Sequence, residues 1–129
     1  MKLCITSMGK TLESKIDERF GRAPYFLIVD TETKEFQAVG NPAQTAGRGA
    51  GVVAAQMLSD MKVEALLTGI VGPNAFEAMK AARIKVYEGA SETDIAASAL
   101  DKFTQGMYQE VSGPSGGPGR GRGFRGGRR

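Results

Sequence analysis

The sequence contains no histidine and only one cysteine, Cys4, among its 129 residues. Without histidine, neither a Ser-His-Asp triad nor a Cys-His pair can be assembled. A structural zinc site draws four ligands from Cys and His, so it is excluded as well. A single cysteine also rules out an internal disulfide and a Cys-x-x-Cys motif. These absences remove the commonest forms of nucleophilic catalysis and of zinc binding.

The sequence also lacks a long apolar segment. No apolar run approaches the roughly 20 residues that cross a bilayer. The N-terminal stretch MKLCITSMGKTLESK turns polar too early for the apolar core of a signal peptide. With 41% hydrophobic and 24% charged residues, the composition is that of an ordinary globular protein. We therefore predict a cytoplasmic location.

Acidic residues are absent from the last 17 positions, here called the tail (residues 113–129). The tail holds five of the 17 Lys and Arg residues and none of the 14 Asp and Glu residues. Residues 1–112 therefore carry 12 basic and 14 acidic side chains, a net charge of −2, against +3 for the whole chain. The basic character of the protein belongs to the tail and not to the preceding segment.

The tail, GPSGGPGRGRGFRGGRR, has eight glycines and two prolines, and its only large apolar residue is Phe124. Such a segment buries too little surface to offset the entropy of ordering. We predict an α/β domain over residues 1–112 and a disordered tail over 113–129. Arg-Gly repeats with an aromatic residue resemble segments that bind RNA, weakly and with strong salt dependence. A tether to an acidic partner, or a tail without a specific role, is the alternative.

Short apolar segments alternate with amphipathic ones before the tail. Strands are predicted at KLCITS (2–7), YFLIVD (25–30), EFQAVG (35–40), VEALLTG (63–69) and IKVY (84–87). Helices are predicted over 50–61, over 73–83 and after an N-cap at Ser91. Strand–helix–strand units imply parallel pairing, and the hairpin over 25–40 adds one antiparallel strand. The pattern predicts a mixed five-stranded sheet with helices on both faces.

The helical segments have apolar residues at helical spacing. The first helix has a stripe at Val53, Met57 and Met61. The second helix has Phe76, Met79 and Ala82 on one face, and the third has Ile95, Ala99 and Phe103. These stripes predict the faces that pack on the sheet, so the methionines are interpreted as packing residues.

Four separated motifs resemble one known family. They are ERFGRAPYFLIVD (18–30), NP (41–42), GAGVVAAQML (49–58) and LLTGIVGPNAFEAMKAARIKVY (66–87). Together they resemble the dinitrogenase iron-molybdenum cofactor biosynthesis family, the small domain of NifX-like, NifY-like and NifB C-terminal proteins. The resemblance covers roughly residues 1–108. It implies a ribonuclease H-like three-layer α/β/α fold.

The resemblance also implies a function. Members of this family bind or carry metal–sulfur clusters, such as the iron–molybdenum cofactor or its precursors, without catalysis. The expected partners are cluster donor or acceptor proteins. A nuclease is not expected, because that chemistry needs converging carboxylates and the first strand, KLCITS, has no acidic residue.

RFGRAPYF is the most distinctive motif. Arg19 and Arg22 could supply positive charge to an anionic cluster, with Phe20 as an apolar wall beside Gly21. In the structural alternative, Gly21 is a turn residue and Phe20 an anchor in the core. Asn41 of the Asn-Pro motif is added to the candidate cofactor-binding set.

Two glycine-containing loops precede helices. Gly49 and Gly51 in AGRGAG leave backbone N–H groups free to face an anion, and the alternative is a flexible helix entry. Gly72 and Asn74 in GIVGPNAF follow a predicted parallel strand, where open α/β sheets bind ligands. The alternative there is a tight turn that only starts a helix.

Soft metal ligands are scarce. Cys4 lies in the middle of a predicted strand, so a buried and inert thiol is the alternative to metal ligation. Met8, after that strand, is a weak thioether candidate. Many relatives of the family have His or Cys near the Asn-Pro loop or in a His-rich tail, whereas here Ala43 follows Asn41-Pro42 and histidine is absent. A cluster is therefore predicted to be held as a whole anion, mainly by arginines and backbone N–H groups.

Overall fold

The computed structural model describes residues 1–46 and 49–112, and the predictions made for the tail fall outside these ranges. None of the helices in the described part is long and apolar enough to span a membrane. The elements in chain order are β1 (Lys2–Ser7), β2 (Tyr25–Asp30), β3 (Phe36–Gly40), α1 (Ala43–Ala46), α2 (Ala50–Asp60), β4 (Ala65–Leu67), α3 (Pro73–Ala81), β5 (Lys85–Glu88), α4 (Ala96–Thr104) and β6 (Gln109–Glu110).

The strands form one mixed sheet in the order β3-β2-β1-β4-β5-β6. Strand β1 is antiparallel to β2 and parallel to β4, and it pairs Cys4 with Ile28 on one side and Leu66 on the other. Strands β2 and β3 form the predicted hairpin, and β4 and β5 are parallel. The sheet therefore has parallel strands at its centre and antiparallel strands towards both edges.

The prediction of five strands is wrong, because β6 adds a sixth strand to the described sheet. This strand has two residues, Gln109 and Glu110, and it pairs antiparallel with β5. Both residues are exposed and polar, so they carry none of the apolar alternation that reveals a strand in a sequence. Only the neighbouring edge of β5 makes this segment a strand.

Successive residues of β1 face opposite sides of the sheet, as strand geometry requires. Cys4 belongs to a buried cluster with residues of α2 and α3, whereas Leu3 and Ile5 belong to a second cluster with α4. Helices thus cover both faces of the sheet, as the alternation of the sequence predicts. The cluster under α2 and α3 is the one that extends to the candidate site described below.

The predicted packing face of helix α2 is only partly correct. Met57 and Met61 are partly buried and pack against the core as predicted, whereas Val53 is 44% exposed. The fully or nearly fully buried residues of the helix are Ala54, Ala55 and Leu58, which the prediction did not include. Helix α3 agrees better, since its predicted residues Phe76 and Met79 are both buried.

The last helix also starts later than predicted. Ser91 is not its N-cap; its hydroxyl oxygen accepts a hydrogen bond from the Thr93 N–H in the preceding turn. Helix α4 begins at Ala96, and the Asp94 carboxylate binds Lys102 at 2.8 Å instead of closing a capping box. The hydrogen bond and the charge of Asp94 raise the pKa of Lys102.

Candidate functional site

A cavity of about 930 Å³ opens where α2 and α3 begin, beyond the carboxyl end of β4. We call it the groove. A segment between β1 and β2, the starts of both helices and the turn after β4 line it. The lining residues are Arg19, Phe20, Gly21, Arg22, Ala43, Gly49, Ala50, Gly51, Val52, Ile70, Gly72, Asn74, Ala75, Glu77 and Ala78.

One wall is the segment Arg19–Arg22, which we call the arginine loop. The N–H groups of Arg22 and Ala23 both donate to the Arg19 carbonyl, at 3.1 and 3.0 Å, so the backbone turns tightly there. Phe20 is buried and stacks on Phe26 with ring centroids 5.4 Å apart, which fastens the loop to the core. Phe20 is therefore an anchor in the core, as the structural alternative predicts, and it also lies in the groove lining.

Both arginine side chains of this loop are exposed. Neither Arg19 nor Arg22 forms a salt bridge with a carboxylate of residues 1–46 or 49–112. The only acidic residue in the groove lining is Glu77. The wall therefore presents two guanidinium groups that are not neutralised by the described part of the protein.

The turn after β4 lies directly beside the arginine loop, because Arg19 and Ile70 form an isolated parallel β-bridge. The N–H of Ile70 donates to the Glu18 carbonyl at 2.9 Å, and Gly69 lies so close that a Cβ atom there would be 2.6 Å from the same oxygen. The N–H of Val71 donates to the Glu88 carboxylate at 2.7 Å. These contacts hold the turn against the arginine loop and leave Ile70 44% exposed beside the groove.

Two helix N-termini meet at the groove. Helix α2 starts after Gly49, which has a left-handed backbone with φ of 76°, and α3 starts after Gly72. Neither helix has a side-chain cap. The N–H groups of Asn74 and Ala75 donate to no acceptor within the described ranges. Uncapped helix starts concentrate partial positive charge and attract anions.

Gly51 has a packing role that the sequence did not reveal. A Cβ atom at this position would lie 2.7 Å from the Cα atom of Ala75. Glycine therefore lets α2 and α3 approach closely at their first turns. This contact brings the two helix starts to the same cavity.

Eight of the nine predicted cofactor-binding residues line the groove: Arg19, Phe20, Gly21, Arg22, Gly49, Gly51, Gly72 and Asn74. Asn41 is the exception, because its side chain is buried and hydrogen-bonded within the protein. That these residues bind a cofactor is still a prediction.

Sequence reasoning missed several lining residues, namely Ala43, Ala50, Val52, Ile70, Ala75, Glu77 and Ala78. Asn74 and Ala78 are four residues apart on one helix, so helical spacing could have revealed Ala78. No comparable signal reveals Ile70. In the sequence this residue reads as part of an apolar run that continues from β4.

The two weak metal-ligand candidates lie outside the groove lining. Cys4 is fully buried in the sheet, and burial raises the pKa of its thiol well above the usual range. Met8 is 46% exposed. Across the described ranges no group of three or more His, Cys, Asp or Glu side chains could hold a metal ion.

A small α/β domain with an open groove, unpaired arginines and uncapped helix starts has the features of a ligand-binding domain. The chain belongs to the dinitrogenase iron-molybdenum cofactor family, whose sequence model matches residues 1–106. The family resemblance of the four motifs is thereby confirmed. Membership identifies the chain as a small cofactor-binding or carrier domain, a class that is generally non-catalytic.

Solved structures and curated sequences agree with this assignment. The apo form of the orange protein from Desulfovibrio gigas is 40% identical, with a TM-score of 0.82 over 88% of this chain and 94% of that one. A Thermotoga protein described as a NifB candidate is 39% identical, with a TM-score of 0.73 over 84% of this chain and 91% of that one. An uncharacterized protein of Methanocaldococcus jannaschii is 31% identical over 75% of this chain and 83% of its own length.

Proposed function

We propose that this protein binds and carries an anionic metal–sulfur cluster, the iron–molybdenum cofactor or a related precursor, without catalysing a reaction on it. The observation that carries the proposal is the convergence of Arg19 and Arg22 with two uncapped helix starts on one cavity. Guanidinium groups and free backbone N–H groups are the donors that anions prefer in proteins. The family assignment supplies the class of cargo.

The size and lining of the groove support a cluster as the cargo. Its volume of about 930 Å³ lies at the upper end of the roughly 300–1,000 Å³ typical of small-molecule sites. Phe20, Ile70 and Val52 add apolar surface, which suits sulfide atoms because they are larger and less strongly hydrated than oxide atoms. Guanidinium groups and apolar side chains in one lining together match a soft anion.

The way the cluster is held follows from the residue types in the groove. The lining residues include no Cys, His or Met, so no side chain there offers a soft metal ligand. We therefore propose that the arginines and the backbone N–H groups hold the cluster as an intact anion. Binding without metal–protein bonds can be reversed by competition, and this suits transfer between cluster donor and acceptor proteins.

We also propose a fold family and a domain boundary for this protein. A ribonuclease H-like α/β/α fold is supported by a mixed sheet covered by helices on both faces. The division into a domain over 1–112 and a tail over 113–129 is supported by the change in composition at that point. The alternative function, RNA association or partner tethering, depends on the tail.

An anaerobic NMR titration of the 15N-labelled protein with tetrathiomolybdate, and then with a molybdenum–iron–sulfur cluster, tests the proposal. We expect shifts confined to residues 19–22, 49–52 and 70–75, with molybdate as the oxygen-ligand control giving weaker shifts. The same titration of a chain lacking residues 113–129 should give the same shifts. Shifts spread over the surface, or none in the groove, would contradict the proposal.

A further inference from the structure

Two amide side chains that lie outside the groove lining donate hydrogen bonds to the backbone at and just after the arginine loop. The Asn41 Nδ2 donates to the carbonyl oxygens of Phe20 and Ala23, at 2.9 and 2.8 Å. The Gln44 Nε2 donates to the Arg22 carbonyl at 2.9 Å. We call Asn41 and Gln44 the amide clamp. Together they bind three of the four carbonyl groups between residues 20 and 23.

The hydrogen-bonding capacity of Asn41 is committed to this arrangement. An Asn side chain has two N–H donors and one carbonyl oxygen. Both donors point to the loop, and the oxygen accepts the Ala43 N–H at 2.8 Å. The residue is only 6% exposed. It has no donor left for an anion, so a direct role in binding, as its place in the family motif implied, does not fit this geometry.

The location of the amide clamp in the chain connects the arginine loop to the sheet. Strand β3 ends at Gly40, and Asn41 lies between that strand and α1. The Asn41 N–H also donates to the Pro24 carbonyl at 3.1 Å, which ties it to the start of β2. The arginine loop is therefore fastened through its carbonyl groups to the β2–β3 hairpin at the edge of the sheet, while Arg19 and Arg22 stay in the groove lining.

We infer that Asn41, with Gln44 as the weaker partner, is a positioning residue that sets the arginine loop in its binding conformation before the ligand arrives. This inference rests on the proposed function and extends it to residues beneath the site. A loop that is already ordered loses less conformational freedom on binding, so the affinity is higher. The clamp thus acts on affinity through the loop and not by contact with the ligand.

Asn41→Asp tests the inference with almost no change of shape. The carboxylate can still accept the Ala43 N–H, but it places an oxygen against the carbonyl groups of Phe20 and Ala23. We expect altered 15N shifts and faster amide exchange at residues 19–23 before any ligand is added. The affinity for tetrathiomolybdate should fall about tenfold or more, because the loop must then be ordered at the expense of binding.

Gln44→Ala is the second variant, because Gln44 is exposed and its replacement should not prevent folding. It removes one hydrogen bond to the loop, so a smaller loss of affinity, about threefold, is expected. Gln56→Ala is the matched control. Gln56 is also an exposed glutamine with one hydrogen bond, to Asp60 at 3.0 Å, and it lies outside the groove lining. The control should change neither the loop signals nor the affinity.

The outcomes separate this inference from the proposed function. Failure of the natural protein to bind either probe would contradict the proposed function, and the signals of residues 19–23 in the free variants would still decide whether the clamp orders the loop. Weaker binding by Asn41→Asp with unchanged loop signals would mean that the added charge, and not the order of the loop, lowers the affinity, and it would overturn the inference. Unchanged signals and unchanged affinity in both variants would overturn it as well.

Discussion

Helices α2, α3 and α4 all begin without a side-chain cap, but their first N–H groups have different surroundings. In α4, the N–H groups of Ala96 and Ala97 donate to the carbonyl oxygens of Ser14 and Leu12, both at 2.8 Å. The starts of α2 and α3 have no side-chain cap and line the groove. A loop closes one helix start, and an open cavity borders the other two.

The charged residues near α4 also differ from those near α2 and α3. Near α4, Asp94 and Lys102 form a salt bridge at 2.8 Å, so their charges neutralise each other. Beside α2 and α3, Arg19 and Arg22 are without such a partner among residues 1–46 and 49–112. The comparison teaches that the protein satisfies its polar groups internally on one face of the sheet. On the other face it leaves donors and positive charge available to a ligand.

The largest expected effect comes from placing a methyl group in the close contact between α2 and α3. Gly51→Ala places a methyl group 2.7 Å from the Ala75 Cα atom, so the helix starts must separate. We expect the free energy of unfolding to fall by about 1–3 kcal/mol, as for other overpacked positions. Urea denaturation measures this change. Thiomolybdate binding should weaken as well, because the groove changes shape.

Gly40→Ala is the matched control for this variant. A Cβ atom at Gly40 meets nothing within 4 Å, and this glycine is not part of the groove lining. Its stability and binding should stay close to those of the natural protein. A Gly51→Ala protein as stable as this control would show that helix propensity outweighs the close contact.

The next effect is on binding alone. Arg19→Gln and Arg22→Gln each remove one unpaired positive charge from the groove. We expect the dissociation constant for tetrathiomolybdate to rise about tenfold in each variant, in line with the loss of a charge-assisted hydrogen bond. Isothermal titration calorimetry under anaerobic conditions measures it. Arg83→Gln, which removes an exposed arginine beyond the far end of α3, should bind normally.

A smaller effect of opposite sign is expected at Glu77. This carboxylate is exposed in the groove lining and repels an anionic ligand. Glu77→Gln should therefore tighten thiomolybdate binding about two- to threefold, because charges separated by several ångströms interact weakly at a wet surface. The gain should shrink at high salt. Weaker binding by this variant would contradict repulsion as the effect of Glu77.

The smallest effect on binding is expected at Cys4. Since Cys4 is fully buried and outside the groove lining, Cys4→Ala should leave thiomolybdate affinity unchanged. Loss of binding in this variant would instead reveal a metal ligand. In the natural protein, the raised pKa of the thiol means that alkylation should be slow until the chain unfolds.

The same pKa shift has a consequence for stability. Burial keeps Cys4 protonated in the folded state, whereas the thiol of the unfolded chain ionises near pH 8.5. The stability that depends on the neutral thiol is complete below that pH and declines as the pH rises above it. Cys4→Ala should remove this part of the alkaline decline, as measured by urea denaturation between about pH 7 and 10.

Much of the fold could be predicted because apolar periodicity reports burial directly. The segments at 2–7, 25–30 and 73–81 form the predicted elements, and the predicted site residues before β2 and at the starts of α2 and α3 supply eight residues of the groove lining. The errors have physical causes. Strand β6 is polar and two residues long, and α2 buries alanines because Gly51 lets it approach α3 closely.

The role of Asn41 could not be read from its motif. An Asn-Pro pair in a loop is compatible with a ligand contact and with an internal hydrogen bond. Only the path of the chain brings the Asn41 side chain to the carbonyl groups of residues 20 and 23. Likewise, Ile70 lines the groove because hydrogen bonds to Glu18 and Glu88 fix the turn that contains it.

The sequence by itself determined which chemistry is absent, which segments are apolar enough to build the sheet, and which family the chain belongs to. These properties depend on residue types and on spacing along the chain. The tertiary structure decided which helix starts are closed, which arginines stay unpaired and which amide holds the arginine loop. Those properties depend on groups that are distant in sequence, and only folding brings them within hydrogen-bonding distance.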